Sequence, residues 1–346
     1  MTHRRTSIAD MARALNLAPS TVSRALTQYP DVSEATRQRV RQLAAELGYQ
    51  PNQLAVALRK GSSNTLGVVV PHINGHFFPE VVEGIAEAAN EAGYNVMICQ
   101  SRDDTRQEKK NLELLTNAQV AGLLVSLAST TRDAAHFEAL RRADVPLVFF
   151  DRALDGLTGS HISSVVIDDY AGAYAAVAHL LAEGYRHIAH FSGPLHVGIF
   201  QRRHEGYRQA LHDHGLPFRE ELVFFSELSQ QAGATGMRQL LRLSLAPDAV
   251  FSSNDLASVG ALQVLKEYGL RVPADVALAG FSNAEFTTFT EPPLTTVDQC
   301  SRQMGRVAVH QLLHLLHPGS APGPVHPVRL SPQLLVRASS QRLIPA

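Results

Sequence analysis

From Asn64 onward, short apolar runs rich in Val, Ile, Leu and Phe alternate with segments of helical periodicity. This alternation constrains the fold more than any other feature of the chain. Strand candidates lie at 65–71, 94–100, 120–126, 146–151, 164–168, 187–192, 222–226, 249–253 and 276–281. Helix patterns fall between them at 78–92, 105–118, 170–184, 201–214, 230–243 and 256–268. Continuous rather than alternating apolar strands belong to parallel sheets whose two faces are covered by the intervening helices. These units are too many for a single sheet. The pattern therefore predicts two similar doubly wound α/β subdomains over residues 64–346, with a boundary near 165 and a ligand between them. Crossings near 290–300 and 326–337 are expected to return the chain to earlier parts of the sheets, and 318–324 (PGSAPGP) reads as a loop.

The first sixty residues follow a different pattern. They carry nine basic side chains against four acidic ones, while the remainder carries 22 against 28. The formal net charge of −1 is thus a cancellation between a basic head and an acidic body. Such asymmetry points to a nucleic-acid-binding module attached to a body that has no reason to approach phosphate. The two cysteines, Cys99 and Cys300, lie in apolar, strand-like surroundings, so a disulfide framework is not implied and a reducing cytoplasm fits. The N-terminus lacks the apolar core of a secretory signal. No run approaches the roughly 18 consecutive apolar residues of a membrane span.

Within the head, Ser7 reads as a helix N-cap with Asp10 in the capping-box position, and Ile8, Met11, Ala12 and Leu15 share one face. Asn16 suits a left-handed turn residue. Pro19 then opens a second short helix that buries Val22, Ala25 and Leu26 and presents Ser20, Thr21, Ser23 and Arg24. A third helix starts at Ser33 and stops at Gly48. Two short helices joined by a tight turn, followed by a third, describe an all-α helix-turn-helix over residues 1–50. Hydroxyls donate to phosphates and an arginine binds guanine bidentately, whereas a merely solvated helix more often carries Glu/Lys pairs. Residues 51–63 form a hinge and linker: Pro51 to Gly61 encloses a segment too short to be a stable helix alone.

The head resembles the lactose/galactose-repressor (LacI/GalR) family of bacterial transcription regulators. The resemblance rests on Ile8-Ala9-Asp10-Met11-Ala12, Ser20-Thr21-Val22-Ser23-Arg24-Ala25-Leu26, Val32-Ser33-Glu34-Ala35-Thr36-Arg37 and Leu47-Gly48-Tyr49-Gln50-Pro51-Asn52. It implies a recognition helix over 19–26 in the major groove, with Pro19, Ser20 and Arg24 at base-reading positions and Thr21 and Ser23 on phosphate. Ser7 joins this DNA-contacting set. The hinge would fold in the minor groove, with Leu58 as a wedge between base steps and Asn52 and Ala55 against the groove. Ala18 stands where the family often places a capping serine, a loss typically worth ~1 kcal/mol that Pro19 partly offsets.

The resemblance continues through Phe149-Phe150-Asp151-Arg152, Asp168-Asp169, Ser192-Gly193-Pro194, Gly206-Tyr207, Asn254-Asp255 and Pro292-Pro293-Leu294-Thr295-Thr296-Val297. It implies a periplasmic-binding-protein-like core that senses a small effector. Ligands in such sheets sit beyond the carboxyl ends of strands. The candidate effector residues are therefore His72, Phe77, Phe78, Asp151, Arg152, Arg203, Asn254, Asp255 and Ser282. Phe77 and Phe78 are adjacent, so at most one of them is expected to face the cleft. Asp168 and Asp169 also suit helix capping near Tyr170. Ser282-Asn283 replaces the paired acids of many sugar-sensing members, and the chain has no tryptophan to stack on a pyranose.

Catalytic signatures are absent: there is no Gly-x-x-x-x-Gly-Lys, no Gly-x-Gly-x-x-Gly after a strand and no Gly-x-Ser-x-Gly. Arg208 stands where a His204-Glu205 zinc motif needs its second histidine. His310, His314 and His317 share a helix face without acidic or cysteine company, so a solvated or packed face is the expectation. The expectation is a cytoplasmic regulator, nucleoid-associated when bound, that is neither an enzyme nor a cofactor protein. It would act as a homodimer on a near-palindromic double-stranded operator under control of a small-molecule effector, with no membrane partner. A transporter's solute-binding protein would share the body but lack the basic helical head.

Overall fold

The computed structural model describes residues 7–27, 29–49, 63–154, 156–157, 159–319 and 326–342. The chain divides into two units, Met1–Ser63 and Asn64–Ala346.

The head unit contains helices α1 (Ile8–Leu15), α2 (Pro19–Leu26) and α3 (Glu34–Glu46). Ser7 caps α1: its side chain accepts from the Asp10 N–H while the Asp10 carboxylate accepts from Ser7, a complete capping box. Asn16 ends the helix in the left-handed region at φ 53°. That conformation, which Asn tolerates, turns the chain sharply into α2. Ala18 at the N-cap of α2 supplies no side-chain bond, and Pro19 occupies the first turn. Met11, Ala12, Val22, Ala25, Val32 and Val40 are buried together as a small core.

In the core unit, β1 (Thr65–Val70), α4 (Phe77–Glu91), β2 (Asn95–Gln100), α5 (Thr105–Asn117), β3 (Gly122–Val125), α6 (Ala135–Arg142), β4 (Leu147–Phe150) and β5 (Ile162–Ile167) come first. The second half has α7 (Asp169–Ala182), β6 (Ile188–Ser192), α8 (Gly198–Asp213), β7 (Val223–Phe225), α9 (Gln230–Leu240), β8 (Ala249–Ser252), α10 (Asp255–Glu267) and β9 (Ala277–Phe281). It is followed by β10 (Thr295–Asp298), α11 (Ser301–Leu316), β11 (Val328–Leu330) and β12 (Gln333–Leu335). Two six-stranded sheets result, ordered β11-β5-β4-β3-β1-β2 and β12-β10-β9-β8-β6-β7. All pairings are parallel except β10 with β12. Most of the apolar runs are buried strands, β3, β4, β6, β8 and β9 at every position. The runs at 94–100 and 222–226 instead form the edge strands β2 and β7, whose outer side has no neighbouring strand among the described residues and which leave Met97, Ile98 and Phe225 exposed.

The chain passes between the sheets three times: from β5 into α7, from β10 into α11, and from β11 into β12. Helix α11 packs against α4 on the first sheet. There, Cβ atoms added at Gly84 and Gly305 would meet the carbonyls of Arg302 and Val81 at 2.1 Å. Only glycine lets these two backbones approach so closely. Arg302 with Glu87, and Arg306 with Glu91 at 3.0 Å, decorate the rim of this helix pair. Among the described residues, no helix is long and apolar enough to cross a membrane.

Candidate ligand cleft and nucleic-acid interface

In the head, burial of Val22 and Ala25 turns the opposite side of α2 outward, so Pro19, Ser20 and Arg24 are exposed and Thr21 and Ser23 half-buried. The Arg24 guanidinium bonds Asp31 at 2.8 Å, with both side chains about half exposed. Exposed pairs of this kind are worth at most about 1 kcal/mol. Asp31 therefore parks the arginine near the surface of α2 at little cost to its release. Ser7 spends its side chain on the α1 cap. Asn52, Ala55 and Leu58 lie outside the described residues.

In the core unit, a cavity of about 910 Å³ opens between the two sheets. The loop after β3 contributes Ser129, Thr131 and Arg132, the segment after β4 Asp151 and Arg152, and the approach to α8 and its first turns His196, Gly198, Gln201 and Arg202. Ser164, Asp169 and Arg329 complete its polar wall. His196 Nε2 bonds the Ser129 carbonyl at 2.9 Å, joining the two sides.

Among the residues nominated from sequence, Asp151 and Arg152 line this cavity. Asp151 is buried with φ 59°, an uncommon backbone state for a non-glycine residue that aims its carboxylate inward. Burial raises its pKa, against the pull of the Arg152 and Arg203 guanidinium groups. Arg152 donates to Asp103 at 2.6 Å and its guanidinium lies 5.9 Å from the Phe78 ring centroid. His72 meets the other oxygen of Asp103 at 3.2 Å. Phe77 and Phe78 stack edge-to-face at 5.1 Å, and only Phe78 has the guanidinium over its ring. His72, Arg152, Phe78 and Asp151 therefore form one connected group.

Arg203 is buried one bond behind the cavity wall. It donates to Asp169 at 2.7 Å, to the Ser253 carbonyl at 2.7 Å and to Gln299 Oε1 at 3.0 Å, and its guanidinium sits 3.7 Å from the Phe281 ring centroid. Gln299 in turn donates to Ser282 Oγ at 2.6 Å, so Ser282 and Arg203 share a hydrogen-bonded chain. Ser282 holds φ 126°, a strained position at the end of β9. Asn254 and Asp255 do not line the cavity. Asn254 caps α10 through the Ala257 N–H and donates to the Leu228 carbonyl. Asp255 accepts from Thr296 at 2.6 Å and from the Ala284 N–H at 2.8 Å, and burial pushes its pKa up to about 6. Both hold the strand-end loops in place.

Asp168 does cap α7, accepting from the Ala171 N–H at 3.0 Å. Asp169 does not. It lies one residue inside the helix, buried, as the counter-ion of Arg203, and burial raises its pKa to about 6. Local sequence could not separate the two, because a capping residue and an inward-facing first-turn acid look alike without the partner helix. Gln299, Asp103, His196 and Arg132 were likewise invisible, since each acquires its place from a chain crossing or a neighbouring loop. On α11, His310 and His314 are exposed and His317 bonds the Tyr94 hydroxyl at 3.1 Å.

Comparison with known proteins places both units. Residues 7–52 match the family model for bacterial regulatory proteins of the lacI family, and residues 63–324 match that for periplasmic binding proteins and the sugar-binding domain of the LacI family. The transcriptional repressor CytR of Escherichia coli K12 is 33% identical over 340 residues, 97% of each chain. The repressor PurR of Actinobacillus pleuropneumoniae serotype 3 is 28% identical over 337 residues, covering 97% of this chain and 99% of that one. Among solved structures, the Lac repressor dimer bound to operator and the anti-inducer ONPF superposes with TM-score 0.84 at 27% identity, covering 98% of this chain and all of that one. The regulator CelR in complex with cellobiose gives TM-score 0.72 at 32% identity, covering 97% and 100%. The two family models between them cover a helix-turn-helix head and the two-sheet core, a repressor one-third identical spans nearly the whole chain, and the chain belongs to the LacI family of DNA-binding bacterial repressors.

Proposed function

We propose that this repressor binds a near-palindromic operator as a homodimer and that a small polar metabolite, a sugar or a relative of one, sets its operator affinity from the cavity between the two sheets. The observation that carries the reading is the cavity itself. It lies at the carboxyl ends of the β3, β4 and β5 strands, faces the start of α8, and touches the crossing segments at Asp169 and Arg329. A ligand that closes on both walls changes the angle between the sheets. That change selects one arrangement of the two subdomains and, through a dimer, of the hinges and heads.

On this reading Asp151, with Arg152, faces the ligand directly, and His72 and Phe78 back them. Arg203 and Ser282 act through the Gln299 chain, while Asn254 and Asp255 shape the loops. In the head, Arg24 leaves Asp31 to read a guanine, Pro19 and Ser20 touch base edges, and Thr21, Ser23 and Ser7 address phosphates. Asn52, Ala55 and Leu58 enter the minor groove, Leu58 as the wedge. The domain limits follow: head 1–50, hinge 51–63, core 64–346. The work of such a protein is done in the cytoplasm and needs neither a cofactor nor catalysis. A thermal-shift screen of sugars, sugar acids and nucleobases on the full chain, followed by operator titration with each hit, tests this. A compound that raises the melting temperature and changes operator affinity is expected; if the compounds that bind leave operator affinity unchanged, effector control is wrong.

A further inference from the structure

The exposed side of α2 is engaged by the turn that follows the helix. Arg24 donates from Nη1 to Asp31 Oδ2 at 2.8 Å. The Tyr29 ring, 57% exposed, has its centroid 6.0 Å from the same guanidinium, at the limit of a cation–π contact. Both partners belong to one short turn, and that turn is pinned on each side. The Tyr29 N–H donates to the Arg24 carbonyl at 3.0 Å. Val32 is buried in the small core of the head, and Arg37 Nε donates to its carbonyl at 2.9 Å. Pro30, its φ fixed by the ring, directly precedes Asp31. The carboxylate is thus presented to Arg24 by a chain held from both sides.

The other acids of the head are engaged elsewhere. Asp10 serves the α1 cap and Arg13, Glu34 pairs with Arg37 at 3.3 Å, and Glu46 accepts from Gln42 at 3.0 Å. Among the described residues, only Asp31 is an acid that holds a side chain on the exposed side of α2. A guanine in the major groove offers O6 and N7 to the terminal nitrogens of an arginine. One of those nitrogens, Nη1, is the one Asp31 holds.

We propose that Asp31 is a specificity-determining residue for DNA: it competes with guanine for Arg24, lowering operator affinity and making the repressor tolerant at one base pair. Where the groove presents guanine, Arg24 leaves Asp31, and an unpaired carboxylate remains beside polyanionic DNA. Where another base stands, Arg24 keeps Asp31 and the mismatch loses little. The competitor therefore weakens the matched complex more than the mismatched one. Its effect is bounded by the pair itself, whose side chains are 56% and 49% exposed, to a factor of up to about five. The inference rests on Arg24 as the base reader proposed above, to which it adds the residue that sets how strictly the base is read.

A double-mutant cycle on DNA separates the possibilities. The full-length protein selects a duplex from a randomised library, and single-base-pair variants of that duplex are titrated with the parent, Asp31→Asn, Arg24→Ala and the double variant. Glu34→Gln, which removes another exposed acid of the head, controls for charge alone. The base pair at which Arg24→Ala loses discrimination is the one Arg24 reads. Asp31→Asn is expected to bind the duplex with guanine there about threefold to fivefold more tightly, and duplexes altered at that pair by a smaller factor, so discrimination there rises. Discrimination at other pairs stays at the parent's level, and the double variant shows no rise. If Asp31→Asn strengthens every duplex alike, as Glu34→Gln does, Asp31 is only a charge near DNA, and the proposal falls while Arg24 still reads a base. Lowered discrimination, or a rise that persists without Arg24, overturns it as well. If Arg24→Ala weakens all duplexes equally, the base-reading role falls and this inference with it.

Discussion

Replacing Arg203 by Met tests how the base of the cleft is held together. The Arg203 and Asp169 side chains are each 3% exposed, so solvent screens their attraction little. Met keeps the aliphatic packing against Phe281 but removes three donors, orphaning the Asp169 carboxylate, the Ser253 carbonyl and Gln299 Oε1. Breaking a buried pair from one side costs about 3–5 kcal/mol, and neutral acceptors left unsatisfied cost about 1–3 kcal/mol each. Protonation limits the total. Burial already holds Asp169 at about 6, and without the guanidinium its pKa moves higher, so near neutrality the carboxyl takes up a proton instead of staying charged. The sign follows from linkage. An acid whose folded pKa is raised stabilises the fold below its unfolded value and loses that stabilisation as pH rises through the folded one. The defect of Arg203→Met should therefore be small at pH 5 and largest at pH 8. At about 2–4 °C per kcal/mol for a domain of this size, a 3–5 kcal/mol loss near neutrality lowers Tm by roughly 10 °C. Thermal unfolding followed by circular dichroism at three pH values measures it, and Asp169→Asn/Arg203→Met should recover most of the loss. A single variant within about 1 kcal/mol of the parent, or a double variant in which the two losses simply add, would refute the picture of a dry, mutually dependent pair.

Other consequences are open to similar measurement. His190 is fully buried, stacks 5.1 Å from Phe251 and 4.8 Å from Tyr207, and burial drives its pKa down to about 3. The unfolded chain therefore binds a proton that the folded one refuses, and stability falls from about pH 6.5 toward pH 3 by up to ~1.4 kcal/mol per pH unit. His190→Phe should flatten that acid-side loss in urea titrations at pH 5 and pH 7; an unchanged pH slope would show that His190 is not its source. Arg24→Ala should weaken operator binding by about 1–3 kcal/mol and relax preference at one base pair. Equal losses on every operator variant would reduce it to a phosphate contact. Leu58→Ala should lower operator affinity and the DNA bend seen in gel-shift assays while calorimetric effector binding stays constant; an unbent complex of full affinity in the parent protein would remove the wedge.

The basic head was legible because a helix-turn-helix is local. Its caps, its turn residue and the face it buries all lie within a few positions of one another, so Ser7, Asn16 and Val22 carry their own explanation. The parallel sheets were legible for a related reason: strands buried on both faces must be apolar throughout, and that pattern survives in the one-dimensional string. Even the crossings near residues 290–300 and 326–337 could be suspected, since strands were left over.

The composition of the cleft was not legible in the same way. Asp151 and Arg152 could be nominated because they stand just past a strand end. Whether Arg203 faces a ligand or a buried partner depended on Asp169, 34 positions away, and on Gln299, 96 positions away. Asn254 looked like a ligand residue and is a helix cap, because the same amide does either job according to what packs above it. The cavity wall brings Arg132, Asp151, Arg202 and Arg329 together from separate elements, and no spacing rule joins them. Sequence alone determined the elements, since hydrogen-bonding and burial patterns repeat over short distances, and the class of regulator followed from the family resemblance of its motifs. Only tertiary structure decided which charges share a cavity and which cancel each other. Electrostatic partners are set by the fold's long-range closures, and those leave no local periodicity to read.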